Sequence, residues 1–387
     1  ALRGYVYAQL VQLYCPPAKY LTGGGLDEVL IAPIYTETNL DSPQPLATAQ
    51  QLYDQVTGDL EGALELFTAF EPYLVRESKL RIDANVARGI LAYAYLNRAN
   101  SDRPESQVNK EAYTRAVELV DEVIASGEYR IIPNKELLTT GFNDVNEQSW
   151  MWGQDVTVET ATGLGSWFGQ VDIHSYSYAW AGDTKACDML LYDSVLVAKY
   201  PWDGRVDWFR SKKDPAFALC PDGKFFSAKS PLSTKQDDID REWLSDNVFM
   251  RIESMYLIAA EASYRIGNDD AAIKYLTAIT DERLNLKDPT AADAYGNFKN
   301  RLSHSNLLSA IYDNWRIELW GEGYGLQTFR RLGGEMIDDG GRLKKPGEKT
   351  RGGNHDDSAG SAVQPSESKY TFQIPGAETT YNPEIDK

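Results

Sequence analysis

Two carboxylates facing each other across a sugar can act as acid and base in glycoside hydrolysis, so paired acids are the first residues to weigh. Asp155 with Glu159 and Glu318 with Glu322 are such pairs, but among 57 acidic residues pairs arise by chance, and a glycoside hydrolase stands only as an alternative. Asp237, Asp238 and Asp240 could offer oxygens to calcium. They lack the glycine-containing loop and terminal glutamate of an EF-hand, and read as a solvated loop. His174, His304 and His355 are too scattered for a metal cluster. Cys15, Cys187 and Cys220 form no CxxC and are odd in number, so neither a zinc site nor a disulfide framework is expected; a Cys187–Cys220 bridge stays open. Cys15 follows an apolar run but is preceded by bulky Tyr14, which fits a cysteine packed on a helix face better than a lipid-attachment site. Gly321-Glu322-Gly323-Tyr324-Gly325 follows a helical pattern rather than a strand, so it reads as a turn and not as a phosphate cradle. Neither G-x-S-x-G, H-E-x-x-H, a P-loop nor a Rossmann fingerprint occurs. The reading is therefore non-enzymatic, with no catalytic residue, metal or cofactor.

The aromatic residues carry the strongest chemical signal. Trp150, Trp152, Trp167, Trp180, Trp202 and Trp208 fall in a poorly periodic middle beside Tyr176, Tyr178, Tyr192 and Tyr200. Aromatic rings on loops offer flat apolar faces to the C–H side of a sugar while nearby amides and carboxylates bond its hydroxyls. Trp167, Tyr176, Tyr178 and Trp180 are the candidate stacking platforms, with Gln170 and Asp172 as hydroxyl partners. Loop aromatics can equally pin a large loop to the body.

These residues need a scaffold, and the flanks supply one. Apolar residues at i, i+3, i+4 and i+7 mark four helix pairs: 1–15 with 47–70, 81–99 with 111–126, 247–266 with 271–284, and 306–320 with 324–332. In the third pair Gly267 can end one helix in the left-handed conformation and an Asp of Gly267-Asn268-Asp269-Asp270 can cap the next. Small residues such as Ala84, Ala87, Gly89, Ala259, Ala260 and Ala262 allow close approach, as in degenerate tetratricopeptide packing. The expected fold is all-α: helical units over 1–126 and 247–333, an irregular ligand-binding region with short strands over 127–246, and a loop-rich tail over 334–387, all one domain. The pattern is already helical at Ala1 with no capping residue before it, which leads us to expect an N-terminally trimmed chain.

Arg251-Ile252-Glu253-Ser254-Met255-Tyr256-Leu257-Ile258-Ala259-Ala260-Glu261-Ala262 closely resembles the "R-x-A-E-M-Y-L-I-A-A-E-A" helix of the SusD/RagB family, departing at Glu253 and Ser254. Residues 315–324 are similar to the family's "R-R-I-E-L-x-x-E-G-x-R", and Phe329-Arg330-Arg331-Leu332-Gly333 to its "L-K-R-W-G". Ala1–Tyr7 resembles its "A-L-R-A-x-x-Y", and residues 370–383 its closing "F-P-I-P-x-x-E…N-P", with Gln373 in place of the usual Pro. The resemblance implies tetratricopeptide-like units supporting a variable ligand region. It further implies an outer-membrane lipoprotein on the extracellular face that lids a SusC-like TonB-dependent transporter and captures oligosaccharide for import. The lipid-bearing cysteine would precede Ala1. Some relatives import peptides, so peptide capture is the alternative cargo; a generic tetratricopeptide adaptor is disfavoured because the aromatic middle interrupts the concave surface.

A net charge of −18 repels nucleic acid and anionic headgroups. No run of about 18 apolar residues is present to span a bilayer, so the only membrane contact expected is through the lipid anchor.

Overall fold

In the computed structural model, the described residues are 1–15, 25–70, 78–101, 107–140, 142, 144–166, 196–208, 246–336 and 371–385. They are mainly helical: α1 (Leu2–Tyr14), α2 (Ala49–Phe70), α3 (Ala84–Ser101), α4 (Gln107–Ala125), α5 (Asn134–Thr140), α6 (Ile252–Arg265), α7 (Asp269–Thr280), α8 (Ala291–Arg301), α9 (His304–Glu318), α10 (Gly325–Met336) and α11 (Gly376–Tyr381). The four expected pairs form, with α1 on α2, α3 on α4, α6 on α7 and α9 on α10.

Two helices sit at the centre. In α3 Val86, Ala87, Leu91, Ala92 and Leu96 are fully buried, and in α6 Met255, Leu257, Ile258, Ala259, Ala260 and Ala262 are. A helix apolar on all sides must be surrounded; accordingly α6 touches α3, α4, α7 and α9. Between α6 and α7, Gly267 adopts φ +79°. The cap is Asn268 rather than an aspartate, its Oδ1 accepting from the Ala271 N–H at 3.1 Å.

The 247–266 segment departs from expectation. Asn247–Arg251 is a strand, β4, paired antiparallel with β3 (Trp150–Gln154), and the helix begins only at Ile252. The strand wins because Trp150, Met151 and Trp152 bring a buried edge alongside, and Gly153 lets the chains close: a Cβ there would lie 2.8 Å from the Asn247 carbonyl oxygen. A second two-stranded ribbon pairs β1 (Leu30–Pro33) with β2 (Leu46–Thr48). Helices α5 and α8, absent from the four-pair scheme, help cover a second apolar core built by Ile132, Phe142, Trp150, Trp202, Trp208 and Tyr295. No helix among the described residues is long and apolar enough to cross a membrane.

Candidate functional site

All six candidate ligand residues, Trp167, Gln170, Asp172, Tyr176, Tyr178 and Trp180, lie outside the described residues, as do Cys187, Cys220, His174, His355 and the acidic run 237–240. What is described is the framework from which residues 167–195 and 209–245 depart and to which they return.

That framework is built from four tryptophans of the middle that are among the described residues. Trp150, Trp152, Trp202 and Trp208 are 0%, 8%, 2% and 1% exposed, so these rings pin the region rather than meet a ligand. Burying such rings contributes more than any other side-chain type. Trp202 packs between Tyr295 at 4.6 Å and Phe298 at 5.1 Å, while Trp208 Nε1 donates to Asn134 Oδ1 at 2.7 Å. The Asn285 N–H donates to the Trp202 carbonyl at 2.8 Å, and Gly204 permits the approach, since a Cβ there would lie 2.8 Å from the Leu284 carbonyl oxygen. Tyr200 Oη donates to Asp313 at 2.8 Å and the Lys199 ammonium lies 2.7 Å from the same carboxylate. On the other side, the Asp246 carboxylate accepts from the N–H groups of Val145 at 2.9 Å and Val156 at 2.8 Å, joining the start of β4 to the segments flanking β3.

Beneath the framework lies a buried ion network. Glu318, at the end of α9, receives three guanidiniums: Arg251 at 2.7 Å, Arg283 at 2.7 Å and Arg205 at 2.9 Å. Arg205 also lies 2.5 Å from Asp203 and donates to Asn314 at 2.8 Å; Arg283 reaches Glu253 at 3.2 Å; Arg251 forks onto Glu322 at 2.8 and 3.0 Å. Burial alone would push the Glu318 carboxyl up, but the guanidiniums of Arg283, Arg251 and Arg205 together hold it well below the ordinary carboxylate range. Burial raises Glu253 despite Arg251 and Arg283. The Glu318/Glu322 pair is thus saturated by arginine and sealed from solvent, with neither group poised to protonate a sugar oxygen. Asp155 and Glu159 are exposed, and Glu159 accepts from Thr157 Oγ1 at 2.7 Å.

A second buried knot ties the last repeat to the first two. Arg331 forks onto Glu261 at 3.0 Å through both Nε and Nη2, and its Nη1 donates to Tyr93 Oη and Asn97 Oδ1, each at 3.1 Å. Arg330 donates to the carbonyls of Gln12 and Cys15, closing the end of α1. The motif residues Arg251 and Arg331 are therefore paired with the motif glutamates Glu253, Glu318, Glu322 and Glu261 across the fold. Sequence reasoning identified these motifs but not their pairings.

Burial pushes the Cys15 thiol up to about 12, with the Arg330 charge opposing only in part. Since the thiolate is the reactive form, Cys15 is expected to resist alkylation at pH 8 in the folded chain and to react promptly in denaturant. Mass-spectrometric mapping of labelled cysteines checks this; rapid native labelling of Cys15 would contradict the packing.

The SusD family's sequence profile matches residues 157–387, a stretch that contains all six candidate ligand residues. No curated protein sequence matches significantly. Among solved structures, a SusD-like carbohydrate-binding protein of Bacteroides vulgatus ATCC 8482 superposes with a TM-score of 0.69 at 24% identity, covering 99% of this chain and 75% of that one. A SusD superfamily protein of Bacteroides thetaiotaomicron VPI-5482 gives 0.68 at 18% identity, with the same coverage. One from Parabacteroides distasonis ATCC 8503 gives 0.64 at 16%, covering 99% and 76%. These similarities establish the helical fold, and with the profile match over more than half of its length the chain belongs to the SusD family of nutrient-binding proteins.

Proposed function

We propose that this chain captures oligosaccharide at the outer face of the outer membrane and passes it, unaltered, to a SusC-like TonB-dependent transporter, with a lipid anchor N-terminal to Ala1. The observation that carries the reading is the family match over 157–387, which includes the aromatic-rich stretch 167–180 with Gln170 and Asp172. Membership brings the general role of binding nutrient for uptake rather than transforming it. Trp167, Tyr176, Tyr178 and Trp180 supply stacking faces, and Gln170 and Asp172 the hydrogen bonds to hydroxyls. The saturated carboxylates of the scaffold support a binding role, because the one buried glutamate pair of the sequence reading is already committed to arginine.

Isothermal titration against plant, host-mucin and microbial oligosaccharides and mixed peptides tests the cargo. Dissociation constants of roughly micromolar to millimolar, suited to capture and release, are expected for at least one glycan. The glycan should be recovered intact after prolonged incubation. Binding of peptide alone would transfer the reading to peptide import, and release of shortened products would replace it with glycosidase activity.

A further inference from the structure

Apart from the aromatic stretch, the described residues enclose a cavity of about 240 Å³ where α1, α3, β4 and the turn before α10 meet. We propose that this cavity is a separate subsite for one neutral, hexose-sized sugar residue; the inference rests on the glycan reading above.

Gln12 carries the argument. It lines the cavity, is only 6% exposed, and its side chain makes no hydrogen bond among the described residues. A ligand that enters the cavity displaces water from this amide and must replace its hydrogen bonds. Its donor and acceptor ends match adjacent hydroxyls, which can each give and take a hydrogen bond. Gln9 and Gln12 stand on the same side of α1 as Tyr5, and both line the cavity with Gln327. The Gln327 carbonyl is engaged by Arg330 at 3.2 Å, leaving its amino end for an acceptor.

The walls are aromatic. Tyr5 meets Trp152 edge-on at 4.9 Å, and Trp152 meets Phe249 at 5.0 Å, so the two lining rings Tyr5 and Phe249 are held by a buried third. Phe249 keeps 41% of its surface exposed. Rings held this way present apolar surface to the C–H face of a sugar at little conformational cost.

Size and charge narrow the ligand. The volume corresponds to about eight waters at roughly 30 Å³ each and falls below the range of drug-sized pockets, so a single ring fits better than a chain. The lining has no Lys, Arg or His, and its one charged residue, Glu322, is neutralised by Arg251. A uronic or sialic acid would be buried beside a carboxylate with no unclaimed cation, which disfavours it strongly.

The test is ligand-observed saturation-transfer NMR with methyl glycosides of neutral hexoses, an N-acetylhexosamine and glucuronic acid. It uses the 387-residue chain, its Gln12→Met and Gln327→Met variants, and Trp167→Ala/Trp180→Ala. Thermal melts confirm folding, and Gln327, at the rim, offers an alternative should Gln12→Met disturb α1. The expected result is binding of a neutral glycoside but not of glucuronic acid, weakened about tenfold by the glutamine variants, the equivalent of one hydrogen bond. In the Trp167→Ala/Trp180→Ala background, which removes stacking faces of the aromatic stretch, the remaining monosaccharide binding should show the same loss when either glutamine is replaced. Monosaccharide binding at full strength in both glutamine variants, equal binding of glucuronic acid, or oligosaccharide binding with no monosaccharide binding would each overturn the subsite while leaving the glycan reading intact. No binding of any sugar, long or short, would overturn both.

Discussion

Replacing Glu318 with glutamine is expected to destabilise the fold by about 3–5 kcal/mol, the usual cost of breaking a buried ion pair from one side. The substitution is nearly isosteric, so the loss is electrostatic rather than a cavity effect. Glu318 is the shared acceptor of Arg205, Arg251 and Arg283, all of them 0–1% exposed at the side chain. Removing its charge leaves three guanidiniums to Asp203, Glu253 and Glu322, of which Glu253 is already pushed towards its neutral form by burial. Because these arginines come from three separate stretches of chain, the loss should weaken the whole structure cooperatively. Urea unfolding followed by circular dichroism measures it; a loss below about 1 kcal/mol would place this network with surface pairs of little worth.

The same residue sets a pH dependence. Its folded-state carboxyl is held below the unfolded value of about 4.3, so its contribution is fully present above that pH and is lost as pH falls further. Glu253 acts in the opposite sense, costing stability as it ionises with rising pH. The stability gap between the native sequence and Glu318→Gln should therefore be constant near neutrality and narrow below about pH 4. A gap that widens in acid would contradict the assignment.

Trp202→Ala is expected to cost a similar amount, about 3–5 kcal/mol, but with a different distribution. Trp202 fills the second core among Tyr200, Tyr295 and Phe298, away from the α3 and α6 centre. Its removal should raise hydrogen exchange first in 200–208 and 291–298, with the central helices protected until global unfolding. It should also weaken glycan binding, since residues 200–208 anchor the return of the chain from the aromatic stretch. Uniform loss of protection across both cores would show that they do not open separately.

Much of the helical scaffold is legible in the sequence because a packed helix must repeat its apolar residues at the helical period. Val56, Leu60 and Ala63 on α2 and Leu276 and Ile279 on α7 are buried on that spacing. β4 was hidden because Asn247–Arg251 runs straight into α6 and is too short for its alternation to stand out. α8 was hidden for another reason: only Ala291 and Tyr295 of its residues are buried, leaving almost no apolar stripe. The pairing of Arg251 with Glu318 bridges 67 positions, a relation that periodicity within one element does not carry. Trp202 and Trp167 look alike in sequence, both lying in aperiodic stretches with polar neighbours. The rings of Tyr295 and Phe298 on α8 around Trp202 are what mark it as a pinning ring.

The central claim is that the aromatic stretch 167–180 binds glycan on a scaffold that does no chemistry. Titrating the best oligosaccharide of the panel into the Trp167→Ala/Trp180→Ala chain, with its melting curve as a check on folding, tests this most directly. The account predicts a folded variant whose heat of binding has disappeared, or whose affinity has fallen by at least about tenfold per lost stacking face. Undiminished affinity in the folded variant would contradict it and move the glycan site away from these residues.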